Sequence, residues 1–249
     1  MPGVEVIGRT GSKTGFMQDE HRSYSVGTDA DGFFAFSGFK GDGLVIDLKK
    51  AGYNFDSNRR QFLYSLIDPE QKRFVPDRGN PVVFQMWKSI GPEPLIQYQE
   101  SFGRAPSDGT PVRIDLTNGR IVEEDGDLIV SVKWGPRSDP GSYVFDWFAK
   151  VSVPDGGIIE GGDNTMFRAP AEGYEDSVEY HFRASERQSQ LHKTFYVVSR
   201  NRQTYSRVEF WLENQPGDSD ARIGARVFLN PKPGSRNLEP PPTVQALNP

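Results

Sequence analysis

The chain has no cysteine, so neither a disulfide nor a thiolate metal site can form. The compartment stays open on that count, because many envelope proteins also lack Cys. Long apolar runs are missing as well. No stretch approaches the ~20 consecutive apolar residues that a membrane helix requires, which predicts no membrane insertion. The opening Met1-Pro2-Gly3-Val4-Glu5 has neither the basic nor the apolar region of a signal peptide. Histidine is scarce: His21, His181 and His192 are the whole set, and no pair has the spacing of H-E-x-x-H. All three read as surface residues. No run of one charge dominates. The net charge is -5 with acids and bases interspersed, whereas a phosphate-binding surface needs clustered Lys and Arg, so nucleic acid is not an expected partner. G-x-S-x-G, G-x-G-x-x-G and P-loop patterns are absent. No cofactor is implied.

What the chain has in quantity is aromatic residues, 12%, together with 26 Gly and 19 Pro among 249 residues. That mixture suits many short strands joined by turns rather than long helices. Alternation of period two recurs along the chain, and no long stretch of period 3.6 competes with it. Asp31-Gly32, Asp42-Gly43, Asn118-Gly119, Asp125-Gly126 and Asp155-Gly156-Gly157 punctuate the alternating runs. Such pairs supply the positive φ of tight hairpins. Residues 112–134 read as a three-stranded antiparallel meander. Leu128, Val130, Val132 and Trp134 share one face of its last strand. On the following strand Tyr143, Phe145, Trp147, Ala149 and Val151 share a face, and Phe148 interrupts the polar one. One buried and one wet face is the pattern of an antiparallel sandwich.

Three short pieces resemble a known family. They are Pro2-Gly3-Val4-Glu5-Val6, then Thr28-Asp29-Ala30-Asp31-Gly32-Phe33-Phe34, then Leu44-Val45-Ile46 with Ala51-Gly52-Tyr53. In that order they are similar to the carboxypeptidase regulatory-like (transthyretin-like) domain. The resemblance covers residues 2–53. It implies a small accessory sandwich on a secreted or envelope protein, without catalysis of its own. The family has a further strand ahead of the Pro-Gly-Val segment, which predicts that Met1 is not the natural start. A loop-like insertion is expected from Gly11 to His21. The ending Asn230-Pro231 with Gly234-Ser235-Arg236-Asn237-Leu238-Glu239 resembles those of bacterial envelope proteins of unassigned activity.

The expected architecture is all-β: a small transthyretin-like sandwich over residues 1–55, a larger antiparallel sandwich over 56–235, and a Pro-rich tail over 236–249. The polar cluster Asp56-Ser57-Asn58-Arg59 marks the boundary. Glu123, Glu124, Asp125 and Asp127 crowd one turn and read as a solvated hairpin tip rather than a glycosidase pair. Asp29-x-Asp31-Gly32 fails as a calcium loop, since Lys40 stands where the closing Glu belongs. Trp134 and Trp147 read as core. Trp211 points away from Val208, Phe210 and Leu212, on the side of Tyr205 and Arg207, and Trp87 shares a side with Gln85 and Ser89. Exposed aromatics amid polar groups stack on sugars or anchor partners. Trp211, Tyr205 and Trp87 are therefore the candidate ligand-binding residues, against packing within the chain. The functional expectation is a non-catalytic structural or interaction module of a bacterial envelope or secreted protein, with a protein or glycan partner. Carbohydrate binding is the first alternative and a hydrolase the second.

Overall fold

A computed structural model describes residues 1–13, 19–38, 41–55, 60–64, 74–137, 145–161, 167–215 and 217–241. The protein is all-β. Among the described residues there are sixteen strands, and the one helical turn is a 3-10 turn at Ala184–Glu186. No helix there is long and apolar enough to cross a membrane. Thr14, Gly15, Tyr143, the cluster 56–59, residues 65–67 and 242–249, and the His21 side chain lie outside what is described.

The chain divides into two compact units, Met1–Ser89 and Ile90–Pro249. The first contains β1 (Glu5–Lys13), β2 (Asp19–Gly27), β3 (Gly43–Lys49), β4 (Tyr53–Phe55), β5 (Arg60–Leu63) and β6 (Met86–Lys88). An antiparallel sheet runs β2-β1-β3-β5, and β4 pairs with β6. Val4, Val6, Leu44, Ile46 and Leu48 form its buried heart, with Phe34, Phe36, Phe55, Phe62, Phe84 and Met86 packed on them. Two expectations change here. Of the stretch expected as a loop from Gly11 to His21, residues 11–13 and 19–21 are strand: Gly11 pairs with both His21 and Gly43, while residues 14–18 lie outside what is described. The unit also runs past residue 55 to Ser89, because rings as late as Phe84 close the core that Val4 opens. β1 lies between β2 and β3, with both of its edges paired.

The second unit is a sandwich of two antiparallel five-stranded sheets. One orders β13 (Ser177–Phe182), β11 (Trp147–Ser152), β10 (Leu128–Trp134), β8 (Val112–Asp115) and β9 (Arg120–Val122). The other orders β12 (Gly157–Glu160), β14 (Gln190–Ser199), β15 (Thr204–Glu213), β16 (Asp220–Asn230) and β7 (Ile96–Pro106). Inward positions alternate along β10, β14, β15 and β16: Leu128, Val130 and Val132 from one sheet meet Phe195, Val208, Phe210 and Ile223 from the other. Each is fully or almost fully buried. A buried Leu, Val or Phe side chain contributes about 1.5–3 kcal/mol through transfer out of water, so this core is the main source of the unit's stability. The segment expected as a tail begins inside this unit. Leu238 is buried with Ala169 and Tyr196, and its N–H donates to the Phe167 carbonyl.

Candidate functional site

The outer face of the β12–β14–β15–β16–β7 sheet divides into a covered end and an open end. At the covered end Ala169, Tyr174, Tyr196 and Leu238 close over the sheet. Tyr205 belongs to this cluster, half-buried, its ring 6.3 Å from that of Tyr174. Arg207 is 4% exposed, sits over the Phe228 ring with its guanidinium carbon 4.2 Å from the centroid, and pairs with Glu209 at 3.1 Å. Arg226 reaches the same Glu209 carboxylate at 3.9 Å.

The open end carries Trp211. Register sets a row across four strands: His192, Trp211, Gly224 and Ser101. His192 and Ser101 are exposed and Trp211 is half-buried. Gly224 explains the pose of the indole. A Cβ at this position would fall 2.3 Å from Cζ2 and 2.5 Å from Cε2 of Trp211, and 2.6 Å from the Glu100 carbonyl. Only glycine lets the indole ring rest against the backbone of the neighbouring strand. Polar side chains frame it: Glu209 and Glu213 on its own strand, Arg222 and Arg226 on the next.

The candidate residues thus separate. Trp211 and Tyr205 share one face of β15 but lie six positions apart, roughly 20 Å along a strand, with Tyr205 under cover. Trp87 belongs to the first unit, half-buried in β6. Trp147 is 3% exposed and Trp134 packs against the same core, as their parity predicted. His181 is exposed on the outer face of β13.

The acidic turn is where the structure departs most from expectation. Asp127 is not on a solvated tip: its side chain is 1% exposed. Its Oδ2 accepts the Leu116 N–H at 2.9 Å and Arg200 Nη2 at 3.1 Å. Its Oδ1 accepts the Ser199 hydroxyl at 2.7 Å and Arg200 Nε at 3.0 Å. Leu116 follows β8, Ser199 ends β14 and Arg200 follows it, so one carboxylate joins the two sheets. The hairpin it grips holds Arg200, Asn201 and Arg202 at φ 54°, 56° and 61°, a left-handed run that L residues rarely adopt. Arg202 adds an anchor to the Gly156 carbonyl at 2.9 Å.

Asp115 shares Arg200 with Asp127 at 3.1 Å. Burial opposes its ionisation, but the Thr117 N–H, the Asn118 amide and the Arg200 guanidinium outweigh that and hold its carboxyl below the usual value. A carboxyl depressed by folding stabilises fully above its unfolded pKa, about 3.9, and less as pH falls through its lower folded value. Urea midpoints of Asp115→Asn and wild type are therefore expected to differ at pH 7 and to converge below pH ~3.9. A gap that stays constant to the acid limit contradicts this linkage.

No known protein family, no curated protein and no solved structure matches the chain.

Proposed function

We propose that this chain is a non-catalytic interaction module of a bacterial envelope or secreted protein, and that its larger unit binds carbohydrate on the open end of the sheet around Trp211. One observation carries the reading: the indole rests on Gly224, in a row with exposed His192 and Ser101 and among carboxylates and guanidinia. A flat ring in a polar frame suits a sugar, whose C–H face stacks on aromatics while its hydroxyls seek hydrogen bonds. The buried charges support a non-catalytic role. Asp127 has its hydrogen bonds filled by structural groups, and Glu239 accepts the Ile90 N–H at 2.7 Å. The envelope or secreted placement rests on the resemblance of residues 2–53 to the carboxypeptidase regulatory-like family.

A glycan array is expected to show selective retention of the wild-type chain, with the still folded Trp211→Ala losing it; the half-buried indole also packs against the main core, so some loss in unfolding midpoint accompanies the change. Gly224→Ala supplies a second arm. Its Cβ displaces the indole, so binding falls while Trp211 itself is still present. An array without hits, or undiminished binding by Trp211→Ala, refutes the assignment.

A further inference from the structure

We infer that a second, separate site lies on the opposite sheet and takes an acidic saccharide: the sugar ring on Phe148 and His181, its carboxylate or sulfate between Lys133 and Arg183. The inference does not rest on the Trp211 reading. A groove of about 490 Å³ opens where β10, β11 and β13 end, lined by these four residues with Trp134, Asp146 and Phe182 among the rest. That volume falls inside the range of about 300–1,000 Å³ typical of ligand sites.

Register builds the floor. Lys133 stands opposite Phe148 across the β10–β11 pair, and Phe148 opposite His181 across β11–β13. Lys133, Phe148 and His181 therefore form one row on the outer face, about 10 Å from end to end at an inter-strand spacing of ~4.8 Å. The Phe148 and His181 rings lie 4.7 Å apart at 47°. Arg183 follows two positions after His181, exposed like Lys133. Behind the row the walls are rigid. Trp147 stacks on Phe182 at 4.2 Å and its Nε1 donates to the Gln188 carbonyl at 2.6 Å. Trp134 Nε1 donates to Asn214 at 2.9 Å, and Arg137 covers its ring at 3.9 Å.

Charge decides the class of ligand. One carboxylate, Asp146, lines the groove against the two cations Lys133 and Arg183, and hydrogen bonds hold the carboxylates around it in place without removing their charge. Asp146 accepts the Ala184 N–H at 2.7 Å, Glu186 the Arg183 N–H at 2.8 Å, Asp108 the Thr110 N–H at 2.8 Å, and Glu179 the Lys150 ammonium at 2.8 Å. Lys133 and Arg183 have no carboxylate partner among the described residues. Among the described residues the groove therefore presents two cations and one carboxylate beside an aromatic floor, in a chain whose net charge is -5. An anion with a stackable ring answers both features. The groove crosses the ends of three strands rather than following an edge, so it does not offer the backbone ladder that an extended peptide would use.

The test titrates the full chain by calorimetry with tetragalacturonate, a sulfated chondroitin tetrasaccharide, cellotetraose and tetraglutamate. One or both acidic sugars are expected to bind, the carboxylate and sulfate arms telling the two sources apart. Binding is expected to weaken roughly tenfold in Lys133→Gln/Arg183→Gln and in Phe148→Ala, each tenfold being about 1.4 kcal/mol. It should weaken with added salt and survive in Trp211→Ala. These positions are exposed or half-buried, and unchanged unfolding midpoints verify that the variants fold. No binding of either acidic sugar overturns the proposal. Equal binding of cellotetraose removes the role of charge, and equal binding of tetraglutamate removes the sugar; either result overturns it. Loss in Trp211→Ala with retention in the groove variants moves the ligand to the other sheet and overturns it too.

Discussion

Replacing Asp127 by Ala is expected to destabilise the second unit by about 2–6 kcal/mol, because the change leaves two buried donors without their acceptor. The loss has identifiable parts. The Leu116 N–H and the Ser199 hydroxyl sit beside residues buried from water, and each buried polar group left without an acceptor costs about 1–3 kcal/mol. Arg200 contributes less, since its side chain is 46% exposed and regains water when the carboxylate goes. A further term comes from the hairpin, whose left-handed run at Arg200, Asn201 and Arg202 persists only while its surroundings enforce it. Asp127→Asn is expected to recover only part of the loss. Both carboxylate oxygens face donors, and an amide NH2 in place of either one points hydrogen at hydrogen. Arg200→Ala should cost far less than Asp127→Ala. Urea unfolding of the three variants measures the order. If Asp127→Ala unfolds at the wild-type midpoint, the carboxylate is not what joins the sheets at this end.

The same residue shows where sequence reading reached its limit. Asp127 follows Asp125-Gly126 in an acidic turn, and composition alone makes that a wet hairpin tip. Its burial depends on Ser199 and Arg200, more than seventy positions away, meeting it from the other sheet. Period-two alternation carried the faces of β10, β11 and β15 correctly, down to Trp211 opposing Phe210, because each inward position there meets a continuous apolar core. It carried less in the first unit. Alternation predicts strands over 32–36 and 82–88, and Phe34 and Phe36 do alternate with exposed neighbours, but Phe34, Phe36 and Phe84 lie outside the hydrogen-bonded strands, and the boundary expected at residue 55 falls short of Ser89. β4 and β12 have no alternation to read, being three and four residues long and lying directly after Gly52 and Gly156. For the binding surfaces, the parity of Trp211 was legible but its seat was not, since Gly224 pairs with it only through the β15–β16 register. Phe148 was the single apolar residue on a polar face. The sequence marked it as odd, and the register that sets it between Lys133 and His181 explains it.

Trp147→Ala is the second large effect, expected to cost about 3–5 kcal/mol as large aromatic truncations in cores do. For a domain of this size that lowers the thermal midpoint by about 10 °C. The side chain is 3% exposed within the main core, stacked on Phe182 at 4.2 Å, with its Nε1 held by the Gln188 carbonyl. Truncation opens a cavity, frees Phe182 and leaves that carbonyl without its donor. Trp147→Phe separates these terms: it keeps a ring against Phe182 and loses the hydrogen bond and part of the volume, so a smaller loss is expected. The position also links packing to recognition, because Trp147 and Phe182 form the wall behind Phe148 and His181. Trp147→Phe, still folded, is therefore expected to weaken groove binding of an acidic tetrasaccharide while leaving any glycan bound at Trp211 unaffected. Thermal unfolding followed by near-ultraviolet circular dichroism, with titrations against both ligands below the midpoint, measures both consequences. An unchanged midpoint in Trp147→Ala would mean that the core relaxes around the loss and that this wall is not rigid. Equal loss at both sheets in Trp147→Phe would mean that the two surfaces are coupled through the core rather than built independently.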